Sequence, residues 1–148
     1  MEDKKQDKLK VGDGPFIGSN VNIINKLFNK TVDQNRQGVY RIKENKCVAF
    51  IYLAIQQNNG EWTLPPKAPR INWKNKPNRD NSEFIRECRA EDLNRLFTDP
   101  ADEYAIFKKT DRNKCFFYGI FKLKEVNRDN NECVYKRINT ELNFEEWE

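Results

Sequence analysis

Five cations, Lys67, Arg70, Lys74, Lys76 and Arg79, stand in a stretch that holds no acidic residue from Thr63 to Arg79. Cations without counter-charges along the chain set up a local positive field suited to phosphates. Removing these five from the 27 basic residues leaves 22 against 23 acidic ones, so the basic character is concentrated here. Trp62 and Trp73 lie beside and within the same stretch, and an indole ring can stack on a nucleobase or wedge into a duplex step. The plainer alternative is a solvated loop whose tryptophans seal the core from outside. Nucleic-acid contact is carried forward because charge and aromatic surface coincide. Tyr40 and Arg41 form a second, weaker pair of the same kind; taken alone they read as an ordinary strand start with an exposed arginine.

The chain contains no histidine. Ser-His and Cys-His nucleophiles, histidine general bases and HNH-type metal sites are therefore excluded. Two nuclease-like fragments remain. Gly38-Val39-Tyr40 is similar to the first half of a GIY-YIG nuclease, but Phe50-Ile51-Tyr52, near the spacing of the second half, lacks the glycine. Asp33 with Glu44 and Lys46 mimics the Asp…Glu-x-Lys spacing of metal-dependent nucleases, in which two carboxylates hold a divalent ion. Lys43-Glu44-Asn45-Lys46 reads more simply as a solvated hairpin turn. The cysteines, Cys47, Cys88, Cys115 and Cys133, are widely spaced without a CxxC pair, which argues against a zinc site and for reduced, mostly buried thiols. No catalytic residue, metal or cofactor is assigned.

The elements that must position the loop are legible to different degrees. Residues 61–80 hold four of the six prolines. Proline removes ladder donors, so this stretch is expected as a long, stiffened loop, neither a central strand nor a helix. Downstream, three apolar runs, Tyr104–Phe107, Cys115–Leu123 and Cys133–Ile138, are separated by polar clusters and predict three consecutive antiparallel strands. In the middle run both alternating sets are apolar, so that strand should be buried on two faces. Parity places Phe117 and Phe121 on one side of it, with Gly119 where the strand bends or another group comes close. Upstream, Ser19 or Asn20 can cap a helix near residues 20–29 that buries Ile23, Ile24, Leu27 and Phe28. A hairpin follows, from Gly38–Ile42 to Cys47–Ile55. Ser82 can cap a second helix over residues 82–97, and Phe144 and Trp147 are expected to pack back on the core.

With 148 residues, 34% of them charged, the chain fits one α+β domain over residues 14–148 behind a mobile tail at 1–13. It shows no apolar leader segment and no run near the ~18 residues that span a bilayer. A soluble, cytoplasmic protein with no membrane contact is expected.

In order, these pieces resemble the SRA/PUA-like modification-sensing domain that precedes the HNH nuclease in many modification-dependent restriction endonucleases. A glycine-rich loop leads to a short helix ending Leu27-Phe28. Then come Gly38-Val39-Tyr40-Arg41, a buried strand, a tryptophan-containing loop, Tyr104-Ala105-Ile106-Phe107, and Phe117-Tyr118-Gly119-Ile120-Phe121. The chain departs from the pattern at Gln37, where the family has a second glycine, and in the proline-lysine loop, which replaces an acidic segment. The nuclease half is absent, so cleavage would need a partner chain. The resemblance implies a twisted, mostly antiparallel sheet curling into a PUA/SRA-like barrel with two flanking helices. It also implies a flipped, modified cytosine held between aromatic rings. The expected function is a non-catalytic DNA-binding module that recognises a modified base on a duplex, with a nuclease or other protein as a further partner. Two alternatives stand beside it: a small phage or defence-system protein that binds a protein partner, and a metal-dependent nuclease using Asp33, Glu44 and Lys46.

Overall fold

The computed structural model describes residues 7–33, 38–56, 62–63, 73–75, 84–88, 101–127 and 132–148. Strand β1 (Lys8–Lys10) and strand β2 (Phe16–Ile17) precede helix α1 (Asn20–Phe28). Ser19 caps α1 by accepting from the Asn22 amide at 3.2 Å, and Asn29 ends it in the left-handed conformation, φ 55°. Ile23, Ile24 and Phe28 form its buried face, at the spacing the sequence predicts.

The sheet follows: β3 (Val39–Lys43), β4 (Lys46–Ile51), β5 (Leu53–Gln56), β6 (Trp62–Thr63), β7 (Trp73–Asn75) and β8 (Phe84–Cys88), then β9 (Glu103–Asp111), β10 (Lys114–Asn127) and β11 (Glu132–Asn139). Its hydrogen-bonded order is β3-β4-β9-β10-β11-β8-β7-β5-β6, with β2 pairing the start of β10. Strands β4 and β9, and β5 and β7, run parallel; the other pairs are antiparallel. Strand β12 (Glu141–Asn143) pairs with β1, and a last helical turn, α2 (Phe144–Trp147), is capped by Asn143.

The meander β9-β10-β11 is as expected, and so is the hairpin β3-β4. The sheet is α+β and mostly antiparallel, but it is not closed into a barrel: its path has two ends. The chain itself links one region to the other, because Tyr52 alone separates β4, second in the order, from β5, next to last.

Two hydrophobic clusters lie on opposite faces. One gathers Leu9, α1, Val48, Phe50, Phe107, Phe117, Ile120, Phe144 and Trp147; the other gathers Cys47, Ala49, Tyr104, Ile106, Tyr118, Phe121, Cys133 and Tyr135. Phe117 and Phe121 thus fall on opposite faces, contrary to the parity expected. The cause is a bulge: Phe117 pairs with Phe107 and Gly119 with Ile106, so Tyr118 is the extra residue that resets the alternation.

Three further expectations are corrected. Residues 8–10 do not belong to a tail: β1 pairs with β12 and Leu9 is fully buried. Phe84–Cys88 is strand β8, not the start of a helix, because β11 needs a hydrogen-bonding partner on its far side; residues 89–97 lie outside the described residues. Trp73–Asn75 is a short central strand between β5 and β8, possible because the four prolines fall outside it.

Candidate nucleic-acid interface

Of the predicted site residues, Lys67, Arg70, Lys76 and Arg79 lie outside the described residues. Trp62 sits in β6 opposite Gln56. Trp73 and Lys74 sit in β7, where register sets Trp73 across from Glu87 and Lys74 across from Arg86. Register continues through β8, pairing Glu87 with Cys133 and Arg86 with Val134. Trp73 therefore shares a row with Cys133, a member of the Tyr118–Phe121 cluster.

Tyr40 and Arg41 part company. Tyr40 is only 3% exposed, its ring packed edge-on against Phe50 with centroids 6.0 Å apart, and its hydroxyl accepts from Asn20. A ring so deeply placed serves the core. Arg41 is exposed on β3, and its guanidinium donates to the Glu44 carbonyl. Gly38 begins this strand at φ 75°, and a Cβ there would lie 2.7 Å from the Phe50 carbonyl oxygen, so the Gly-Val-Tyr segment answers a backbone requirement.

The nuclease-like spacing finds its lysine engaged. Lys46 pairs with Glu103 and lies over the Trp147 ring. Among the described residues no group of three or more metal-ligating side chains converges.

A cluster that the sequence reading missed lies on the meander. Tyr118 and Phe121 are stacked, centroids 5.7 Å apart with planes 9° off parallel. The Arg137 guanidinium lies 4.7 Å from the Tyr118 centroid and 5.4 Å from that of Phe121. Its Nε and Nη2 donate to the Tyr118 carbonyl at 3.0 and 2.7 Å. The Lys108 ammonium stands 5.2 Å from the Tyr118 centroid. Burial raises the Tyr118 phenol above its ordinary range, with Arg137 partly opposing the shift. The bulge makes this arrangement: it brings Phe121 onto the face of Tyr118, and Gly119 leaves room for the Arg137 side chain, which a Cβ would meet at 2.8 Å. The signal available in the sequence was Gly119 between aromatics; the cations could not be read because they come from different strands.

Lys109, next to Lys108, points to the opposite face. Its ammonium lies over Tyr52 at 5.1 Å, and its register partner is Cys115. Burial lowers its pKa, with Arg112 adding to the effect and Cys115 opposing it. Elsewhere, a groove of about 510 Å³ runs beside α1 and α2, but Asp7, Glu145 and Glu148 line it together with Lys8 and Lys26, so it has no single charge preference.

No family model matches the chain, and no curated protein does. Among the described residues no helix is long and apolar enough to cross a membrane. The fold is similar to the solved structure of the 5-hydroxymethylcytosine-specific restriction enzyme AbaSI, with a TM-score of 0.60 at 14% identity over 93% of this chain. The match spans 42% of that chain, less than half its length. At this identity the likeness is one of fold: this α+β sheet shares its architecture with part of a restriction enzyme.

Proposed function

We propose that this chain is a DNA-binding module that reads a modified base in a duplex and does not itself cut. The observation that carries this reading is the fold similarity, over 93% of the chain, to a restriction enzyme whose name specifies 5-hydroxymethylcytosine. The acid-free stretch supports it. Lys67, Arg70, Lys74, Lys76 and Arg79 supply phosphate contacts, Trp62 and Trp73 supply stacking surface, and Arg41 adds an exposed cation on β3. Phosphate contacts set position on the duplex, while the base itself supplies identity. A flipped base costs a few kcal/mol of unstacking, offset by stacking and edge hydrogen bonds in the pocket that receives it.

A gel-shift panel tests this reading directly. Plain, methylated and hydroxymethylated duplexes are compared with single strands of the same sequence at several salt concentrations. Tighter binding to one modified duplex, with steep salt dependence, is the expected result. Binding that ignores modification removes the base-reading half of the proposal. No binding to any nucleic acid removes all of it and moves the protein-partner alternative ahead, since an apolar protein interface responds weakly to salt.

A further inference from the structure

We infer that Lys108 and Arg137, set around Tyr118 on the meander, form a phosphate-binding site separate from the proline-rich loop. The inference deepens the DNA-binding reading by naming a second backbone contact, and it rests on that reading for its nucleic-acid source. The site is built from three strands. Lys108 comes from β9, Tyr118 from the bulge of β10 and Arg137 from β11. Both cations are half-buried, and among the described residues neither forms an ion pair with a carboxylate. Partly burying two charges beside apolar rings is costly unless an anion compensates them.

The donors are also directed. A guanidinium has five N–H donors. Nε and one Nη2 hydrogen of Arg137 are spent on the Tyr118 carbonyl, which fixes the plane of the fork. The guanidinium also hydrogen-bonds the Tyr118 phenol, and the donors left over on Nη1 and Nη2 can meet oxygen ligands, the geometry for which arginine suits phosphate. Lys108 supplies a compact charge on the same ring. By register the row of Cys133, on this face, continues across β8 to Trp73.

Lys109 furnishes the internal control, since it is one residue away in sequence but on the other face, over Tyr52. Duplex affinity is measured against salt for the wild type, Lys108→Gln and Lys109→Gln. One phosphate contact contributes a slope of about −0.9 in log K against log salt. Lys108→Gln should make the slope shallower by about 1, equally for plain and modified duplexes; Lys109→Gln should leave it unchanged. In a second arm, inorganic phosphate alone is titrated while the Arg137 Nε–H resonance is followed by NMR. It should shift in the wild type and in Lys109→Gln, and stay fixed in Lys108→Gln. A phosphate response with an unchanged Lys108→Gln duplex slope assigns the site to free phosphate compounds instead of the nucleic-acid backbone. Equal slope changes in both lysine variants, with no response to phosphate, overturn the site while leaving the DNA-binding reading intact. If no duplex binds, that reading fails on its own, and the phosphate titration alone decides the site.

Discussion

Gly119→Ala perturbs the one point on which the bulge, Tyr118 and Arg137 all depend. Gly119 has φ +127°, a backbone region that residues with side chains rarely adopt. Holding alanine there costs about 1–3 kcal/mol. The new Cβ would also meet Arg137 Nε at 2.8 Å and its Cγ and Cδ at 3.2 Å, so the arginine must leave. Its departure breaks two charge-assisted hydrogen bonds to the Tyr118 carbonyl and its contact with both rings, together about 1–2 kcal/mol for a half-exposed group. The sum is roughly 2–5 kcal/mol, or a fall in melting temperature on the order of 10 °C for a chain of this size. Thermal and urea melts of the single variants and of Gly119→Ala with Arg137→Ala form a double-mutant cycle. Because Gly119→Ala already removes the arginine's contacts, the double variant should be about as stable as Gly119→Ala alone. Simple additivity of the two single costs would refute the reasoning, since Arg137 would then not be what the Cβ displaces.

Phe117 is 1% exposed at the centre of the first cluster, so Phe117→Ala should cost about 3–5 kcal/mol, and a melt within a few degrees of wild type would show that the meander is not the core. Burial pushes the Cys115 thiol from 9.0 up to about 12, with Lys109 opposing, so the folded state keeps a proton that the unfolded chain gives up. That contribution is intact below about pH 9 and is lost as pH rises toward 12, at up to about 1.4 kcal/mol per pH unit; the urea midpoint of Cys115→Ala should fall less than that of wild type from pH 8.5 to 10.5, and parallel curves would count against the buried thiol. Cys47, Cys115 and Cys133 are buried outside any disulfide, so thiol titration in denaturant should return all four cysteines of the chain, with no stoichiometric zinc by elemental analysis. Replacing Lys74 and Lys76 with alanine should make the salt slope shallower by about 1–2 for every sequence, whereas Trp73→Ala should weaken binding by ~1–3 kcal/mol at an almost constant slope. An unchanged slope in the lysine variant would show that the loop is not a phosphate site.

The elements legible in the sequence were those whose local pattern and tertiary role agree. Strand β10 announces itself because residues on both of its faces are apolar, and α1 because its cap, its buried stripe and its terminating asparagine all coincide. Phe84–Cys88 misleads for the opposite reason. Phe84, Ile85 and Cys88 fit helical spacing, while the two alternating sets, Phe84-Arg86-Cys88 and Ile85-Glu87, each mix apolar with charged residues and so give no strand signal. Five residues cannot arbitrate between the two periods. What decides is non-local: Cys133, Val134 and Tyr135 are buried, so the outer backbone groups of β11 require a partner, and β8 supplies it. Leu9 is hidden in the same way, a lone apolar residue between lysines whose burial depends on β12, more than a hundred residues later.

Charge is where sequence and space diverge furthest. Along the chain, a run is called basic when no acid interrupts it, and that criterion selects Lys67 to Arg79. It passes over Lys108 and Arg137, each of which sits in a segment of mixed sign. In the sheet, sequence neighbours separate and strand neighbours converge: Lys108 and Lys109 diverge to opposite faces, while Lys108 and Arg137 meet on one ring. A single inserted residue at the bulge sets which ring shares the face of Tyr118. Had β10 kept strict alternation, Phe121 would have stayed on the face of Phe117 and Cys115, opposite Tyr118 and away from Arg137. The bulge is therefore what brings both rings to Arg137, and Gly119 is the residue that leaves the arginine its place.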